Sequence, residues 1–240
     1  MAFGSLRPAA ALLRRRRREP HHRERRRFRR YCAGLPDLAP GPVFVKVGAN
    51  DGITGDPCAT ILLADPRWKG VLIEPVPHCF DRLRRTYRDA RRFTLERVAI
   101  GAAEGRAPFY YVDPASRERM PDLPIWIDQL GSFDRRHIVK HLQGALEPFI
   151  VECEVEVRPL SGVLSSHGIR KLHLLHIDAE GHDYEVLKTL DFAVHPPVAI
   201  FVEHKHLPAP QRREMVRLLR ARGYRVDDCG NDYFALDGKA

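Results

Sequence analysis

No apolar stretch in this 240-residue chain approaches the roughly 20 residues that a membrane-spanning helix needs. The five cysteines (Cys32, Cys58, Cys79, Cys153 and Cys229) are odd in number, scattered and never in C-x-x-C spacing. That argues against a zinc ribbon or a disulfide framework and for reduced thiols. There is no G-x-x-x-x-G-K-[ST] phosphate loop and no G-x-S-x-G elbow, so neither a P-loop nucleotidase nor a Ser-His-Asp hydrolase is supported. A complete G-x-G-x-x-G is also missing, as is an N-P-P-Y-type amino-methylation motif after a strand. The short apolar patch at residues 9–13 is followed by arginines rather than preceded by them, the reverse of a secretory signal. The expectation is a cytoplasmic protein with no membrane partner.

Charge is present in quantity but unevenly placed. The formal net charge is +9, yet residues 1–30 carry 12 arginines against two glutamates, Glu19 and Glu24. The remaining residues hold 28 basic and 29 acidic side chains. A nearly neutral body gives little reason to expect a domain that tracks a phosphate backbone. Residues 1–30 have few aliphatics after Leu13, so burial cannot offset ordering entropy and disorder or a loose helix is expected. Pro36, Pro40, Gly41 and Pro42 then read as a linker. The division expected is a basic tail and linker over 1–40 and a folded domain over 41–240.

In the domain, apolar strand-like runs alternate with helical spacing. Strands are predicted at 43–47, 71–73, 93–100, 172–177 and 198–202, with helices at 57–64, 80–87, 160–166, 183–190 and 210–222. This is the alternation of a mostly parallel sheet with crossover helices on both faces. Val151, Cys153, Val155 and Val157 alternate with Glu152, Glu154, Glu156 and Arg158, which predicts a strand with one solvated face. Residues 224–226 and 233–236 look like a terminal antiparallel pair. Residues 113–148 show little periodicity and read as an inserted segment, over a site or against a partner.

Ligands of open α/β sheets bind beyond the carboxyl ends of the strands. The residues found there are Gly48-Ala49-Asn50-Asp51-Gly52, Glu74-Pro75, Ala99-Ile100, Asp178-Ala179-Glu180-Gly181 and Glu203-His204. Glycine permits positive φ and close approach of a ligand to backbone. Glu74, 26 positions after Gly48, stands where an acid can accept both hydroxyls of a ribose. Asp178, Glu180, Glu203 and His204 end neighbouring strands and could converge to bind a hard cation or supply a base. The alternatives for each are a helix cap or a solvated surface charge. His137 and His141 stand four apart, and by themselves read as a surface or core pair rather than a metal site.

Several of these motifs, taken together and in order, resemble the FkbM family of methyltransferases. The resemblance rests on Val43-Phe44-Val45-Lys46-Val47-Gly48-Ala49-Asn50-Asp51-Gly52, Thr54-Gly55-Asp56-Pro57, Ile73-Glu74-Pro75, Val98-Ala99-Ile100, Gly131-Ser132-Phe133, His176-Ile177-Asp178-Ala179-Glu180-Gly181 and Glu203-His204-Lys205-His206-Leu207. It implies a Rossmann-like class I methyltransferase fold: a seven-stranded, mostly parallel sheet with an antiparallel last strand. It also implies S-adenosylmethionine as cofactor and O-methylation of a hydroxyl, on a sugar, glycan or secondary metabolite. Gly48, Asn50, Asp51 and Gly52 would line the methionine part of the cofactor, Glu74 the ribose, and Pro75 and Ala99 would complete the cofactor site. Asp178 and Glu180 would face the reacting centre. Lys46 departs from the family pattern, which usually carries Asp or an uncharged polar residue there, and it could pair with Asp51, Asp56 or Asp178.

The expected chemistry aligns an acceptor hydroxyl with the methyl donor and removes its proton. Asp178 or His204 would take that proton, with Glu180 orienting the acceptor; a divalent ion on Asp178 and Glu203 is the rival arrangement. Two other readings are a non-catalytic binding protein that keeps the fold and a nucleic-acid methyltransferase that uses the arginine tail. The neutral body disfavours the second.

Overall fold

A computed structural model describes residues 22–239 of the chain. The elements run α1 (His22–Leu38), β1 (Val43–Val47), α2 (Ala59–Ala64), β2 (Lys69–Ile73), α3 (Pro77–Thr86), β3 (Phe93–Glu96) and β4 (Ala99–Ile100). They continue with β5 (Gly105–Val112), α4 (Ser116–Arg119), α5 (Arg135–Val139), β6 (Ile150–Arg158), α6 (Leu160–Ser166) and β7 (Leu172–Ile177). The last are α7 (Asp183–Lys188), β8 (Pro197–Glu203), α8 (Ala209–Ala221), β9 (Tyr224–Asp228) and β10 (Asp232–Asp237). Among the described residues no helix is long and apolar enough to cross a membrane.

The main sheet has seven strands in the order β3-β2-β1-β7-β8-β10-β9. Its first five strands are parallel, and β10 is antiparallel to both neighbours. Helices cover both faces, so the central strands read as continuous apolar runs: every residue of β7 is buried. The period of two decides which face each residue serves. Phe44, Leu72, Leu174 and Phe201 meet α1, α2 and α3, whereas Val45, Val71, Leu175 and Ile200 meet α6, α7 and α8. The α/β, mostly parallel seven-stranded architecture with an antiparallel last strand is as the sequence implied.

The expectation of a tail and linker over 1–40 needs correction where the structure describes it. Residues His22–Leu38 form a helix whose Phe28, Cys32 and Leu35 are buried against the sheet. Phe28 stacks on Phe201 with ring centroids 3.9 Å apart. The reason is that three apolar side chains at helical spacing form a stripe among the arginines, and burying a Phe stabilises by about 1.5–3 kcal/mol. The part of the expected tail at residues 1–21 lies outside the described residues.

The run at 93–100 also differs from the single strand predicted. It breaks into β3, which ends the main sheet, and β4, which joins β5 and β6 in a second, three-stranded sheet. The alternating strand at 150–158 belongs to that second sheet. Val155 and Val157 face Val76, Ala99 and Phe109, and Glu152, Glu154 and Glu156 are exposed. Between β5 and β6 the inserted segment folds on its own small core of Leu123, Ile127, Leu130, Ile138 and Leu146. It is fastened to the sheet end: Gln129 Nε2 donates to the Thr54 carbonyl at 2.8 Å, and Arg82 pairs with Asp128 at 2.7 Å.

Candidate active site

The loop after β1 is shaped by close backbone contact. Gly48 and Ala49 both donate their N–H to the Ile73 carbonyl at 3.0 Å. Gly48 has φ +74, and a Cβ added there would lie 1.7 Å from the Asp178 carbonyl oxygen. The loops after β1 and β7 thus touch through a space that only glycine leaves open. Asn50 follows at φ 49, which turns its N–H onto Glu74 Oε2 at 2.7 Å; the Val76 N–H reaches Oε1 at 2.9 Å. Burial pushes the Glu74 carboxyl up to about 7, against the pull of those two donors.

A crevice of about 770 Å³, counting its open mouth, lies above these strand ends. Of the residues expected at a site, Gly48, Asn50, Glu74, Pro75, Ala99, Asp178 and Glu180 line it together. Val98, Phe109, Gln129 and Phe133 complete its walls, so the inserted segment forms one side of it. Glu74 and Asp178 therefore open onto one space.

Four expected residues, Asp51, Gly52, Glu203 and His204, do not line it. Asp51 accepts from the N–H groups of Ile53 and Thr54 at 2.9 and 2.7 Å and from the Thr54 hydroxyl at 2.6 Å. Its carboxylate closes a turn. Gly52, at φ +78, leaves room for Tyr87, whose hydroxyl donates to its carbonyl at 3.2 Å. His204 is buried and stacks on Tyr233 with centroids 3.9 Å apart, its Nε2 3.6 Å from Asp228 Oδ1. Strand alternation explains His204: Glu203 and His204 leave β8 toward opposite sides, and only Glu203 turns to Asp178 and Glu180.

Those three acids border a second cleft, which shares Asp178, Glu180, Gly55 and Gln129 with the crevice and runs out beneath Arg26, Phe28 and Arg29 of α1. Burial raises both Asp178 and Glu203, and the neighbouring carboxylates add to it. Burial also works against ionised Glu180, but hydrogen bonds from His137 and His206 outweigh it and hold that carboxyl at about 2. Glu180 takes φ 49, a strained setting for a non-glycine residue. Asp183 fixes it by accepting from the N–H groups on either side, Ala179 at 2.7 Å and Gly181 at 3.0 Å.

The expected pair of Asp178 and Glu203 lies at one border of this cleft. Among the described residues, Glu203 shares ligand-atom proximity with Glu180 and His206, and Asp178 joins no such group.

The sequence left the partner of Lys46 open among Asp51, Asp56 and Asp178, and did not place the contacts of His137, His176 and His206. Lys46 is 3% exposed and its Nζ lies 2.7 Å from Asp56 Oδ2. Burial opposes the ammonium, but Asp56 and Asp178 more than compensate and keep it charged. His176, packed beside Asp56, is driven down to about 3 by burial and by Lys46, and is neutral. His137 and His206 place Nε2 atoms 3.1 and 3.2 Å from Glu180 Oε2. The spacing of His137 and His141, and the run Glu203-His204-Lys205-His206, carried the signal for these contacts, but neither stretch shows in isolation that they meet.

Residues 46–226 match the family described as the methyltransferase FkbM domain. The chain is 24% identical over 216 residues to the methyltransferase sdnD of Sordaria araneosa, covering 83% of this chain and 80% of that protein. Among solved structures it is similar to a methyltransferase FkbM from Methylobacillus flagellatus KT, at 14% identity and a TM-score of 0.51 over 82% of this chain. The chain spans 44% of the length of that bacterial protein, a likeness of fold.

Proposed function

The chain belongs to the FkbM methyltransferase domain family, and from that premise we propose that it uses S-adenosylmethionine to methylate a hydroxyl on a sugar, glycan or secondary metabolite. The observation that carries this reading is the shared crevice of Glu74 and Asp178. Glu74 already has one lone pair on each oxygen engaged by backbone N–H groups, which leaves the remaining lone pairs for the two ribose hydroxyls. Gly48 and Asn50 offer backbone and amide to the methionine end, and Pro75 and Ala99 line the far end. When bound, the cofactor supplies a methyl group already activated on a sulfonium.

The protein's part is then alignment and proton removal. Asp178 stands where crevice and cleft meet. It is the group placed to take the proton of an acceptor entering from the cleft. Glu180, tethered by two histidines, orients that acceptor. His204, turned toward Tyr233, has no part in this arrangement. Calorimetry with S-adenosylmethionine tests the assignment directly, with micromolar binding expected and no heat at millimolar ligand overturning it. Asp178→Asn should keep cofactor binding and lower kcat by about 10²–10⁴-fold.

An unpaired Lys46 would repel a sulfonium and favour a non-catalytic binding protein that keeps the fold. Its pairing with Asp56 neutralises that charge below the loop and supports the catalytic reading.

A further inference from the structure

The crevice and the cleft leave one cluster unexplained. His137 of α5, His141 just after it and His206 after β8 each offer a ring nitrogen, all three within 4.8 Å of one another. Their ring centroids are 4.9–5.8 Å apart. Glu180 Oε2 stands 3.1 Å from His137 Nε2 and 3.2 Å from His206 Nε2. Glu203 Oε2 is 4.0 Å from His206 Nε2.

Two observations separate this group from an ordinary hydrogen-bonded patch. His141 Nε2 and Glu203 Oε2 are both buried with no hydrogen-bond partner, and Glu203 is only 8% exposed. Buried polar atoms are rarely left unpaired. Both belong to the same cluster. We propose that His137, His141, His206 and Glu180 bind a divalent transition metal of the zinc class, with Glu203 beside it as a further ligand or as acceptor for a bound water.

The geometry suits that ion. Around a tetrahedral zinc at about 2.0–2.1 Å, ligand atoms stand roughly 3.3–3.5 Å apart. The two Glu180–His separations are already near this, and the three histidine nitrogens, within 4.8 Å of one another, draw in on the ion. Three neutral imidazoles and one carboxylate are a borderline-soft donor set, which selects zinc, cobalt or nickel over magnesium or calcium. A surface depression bordered by Ser132, His137, Lys140, Glu180 and His206 gives the ion an entry path. Lys140 Nζ lies 3.0 Å from His137 Nδ1. Metal at Nε2 moves the ring proton to Nδ1, so this lysine, exposed at the surface, turns away when the ion binds. The ion's binding stands on this geometry alone; a use in polarising the acceptor's oxygen would require that oxygen as a fifth ligand beside Glu180, and rests on the methyl-transfer reading.

The test uses the untagged full chain, stripped with a chelator and titrated with zinc chloride by calorimetry. Cobalt chloride is followed in parallel by visible absorption. The expected result is one equivalent of zinc per chain and the intense visible bands of low-coordinate cobalt. His141→Asn and His206→Ala should each weaken zinc binding about 100-fold, and His141→Asn should do so without changing the melting temperature of the metal-free protein. Should His206→Ala fail to fold, His141→Asn at the rim decides the matter. Absence of a stoichiometric zinc site would overturn the proposal, and so would unchanged zinc affinity in His141→Asn, because the ion would then lie elsewhere. Binding of S-adenosylmethionine is measured separately, so the metal site and the methyl-transfer reading can fail independently.

Discussion

The crevice and the surroundings of Glu180 beside it are held by different means. The wall at the ends of β1 and β2 is made by backbone: Glu74 is clasped by two N–H groups, and Gly48 lies against the Asp178 carbonyl. The surroundings of Glu180, at the ends of β7 and β8, are made by side chains: two histidines grip its carboxylate, with Glu203 and His141 beside them. A backbone-built wall can hold a cofactor that is the same for every member of a family. Surroundings made of side chains can change their chemistry by substitution without disturbing the strands, which suits the part that meets a variable acceptor.

That comparison can be broken in measurable steps. The largest effect is expected from Gly48→Ala, where a methyl would meet a carbonyl oxygen at 1.7 Å. The cost should exceed the ~1–3 kcal/mol of left-handed strain alone, because the loops after β1 and β7 must part. Denaturant unfolding should show the loss, and near-wild-type stability would refute the backbone account. Lys46→Met comes next. Leaving Asp56 buried without its partner should cost about 3–5 kcal/mol, and a Lys46→Met/Asp56→Leu pair should recover most of it.

Glu74→Gln should weaken S-adenosylmethionine binding by ~10–100-fold with little change in kcat, since it replaces charge-assisted hydrogen bonds worth about 1.5–3 kcal/mol. The same residue sets a pH dependence. Its folded pKa of about 7 lies above the ordinary 4.5, so the folded protein holds a proton there that the unfolded chain has lost. Its contribution to stability is therefore most favourable below pH 4.5 and declines as pH rises to 7. Cofactor affinity runs the other way and should strengthen as pH rises through about 7, because ribose hydroxyls need an acceptor. In Glu74→Gln calorimetry across that range should be flat. The smallest effect is expected from deleting residues 1–21, ahead of the helix that carries Phe28. Turnover of a small acceptor should not change, and its loss would favour a nucleic-acid substrate.

Much of the backbone-built wall was legible in the sequence, because backbone demands restrict residue type. A sharp turn after a strand calls for glycine at Gly48, and a ribose-facing acid belongs at the end of the second strand, as Glu74 does. The same logic misjudged Asp51 and Gly52: an acid and a glycine in that loop also serve a turn and the packing of Tyr87. His204 misled for a different reason. It adjoins Glu203 in sequence, but alternation sends the two in opposite directions. The arginine-rich composition hid the stripe of Phe28, Cys32 and Leu35, since reading residues 1–30 as one stretch separates Phe28 from the two apolar side chains that continue its helical spacing.

The sequence by itself determined most strands of the main sheet and their end loops, because hydrophobic periodicity and turn chemistry act over a few neighbouring residues, and its ordered motifs carried the resemblance to the family. Only the tertiary structure decided that Lys46 is neutralised by Asp56, and that His137, Glu180 and His206 converge from three separate segments. Such contacts depend on where distant elements are carried and which way each side chain turns, and no local pattern records either.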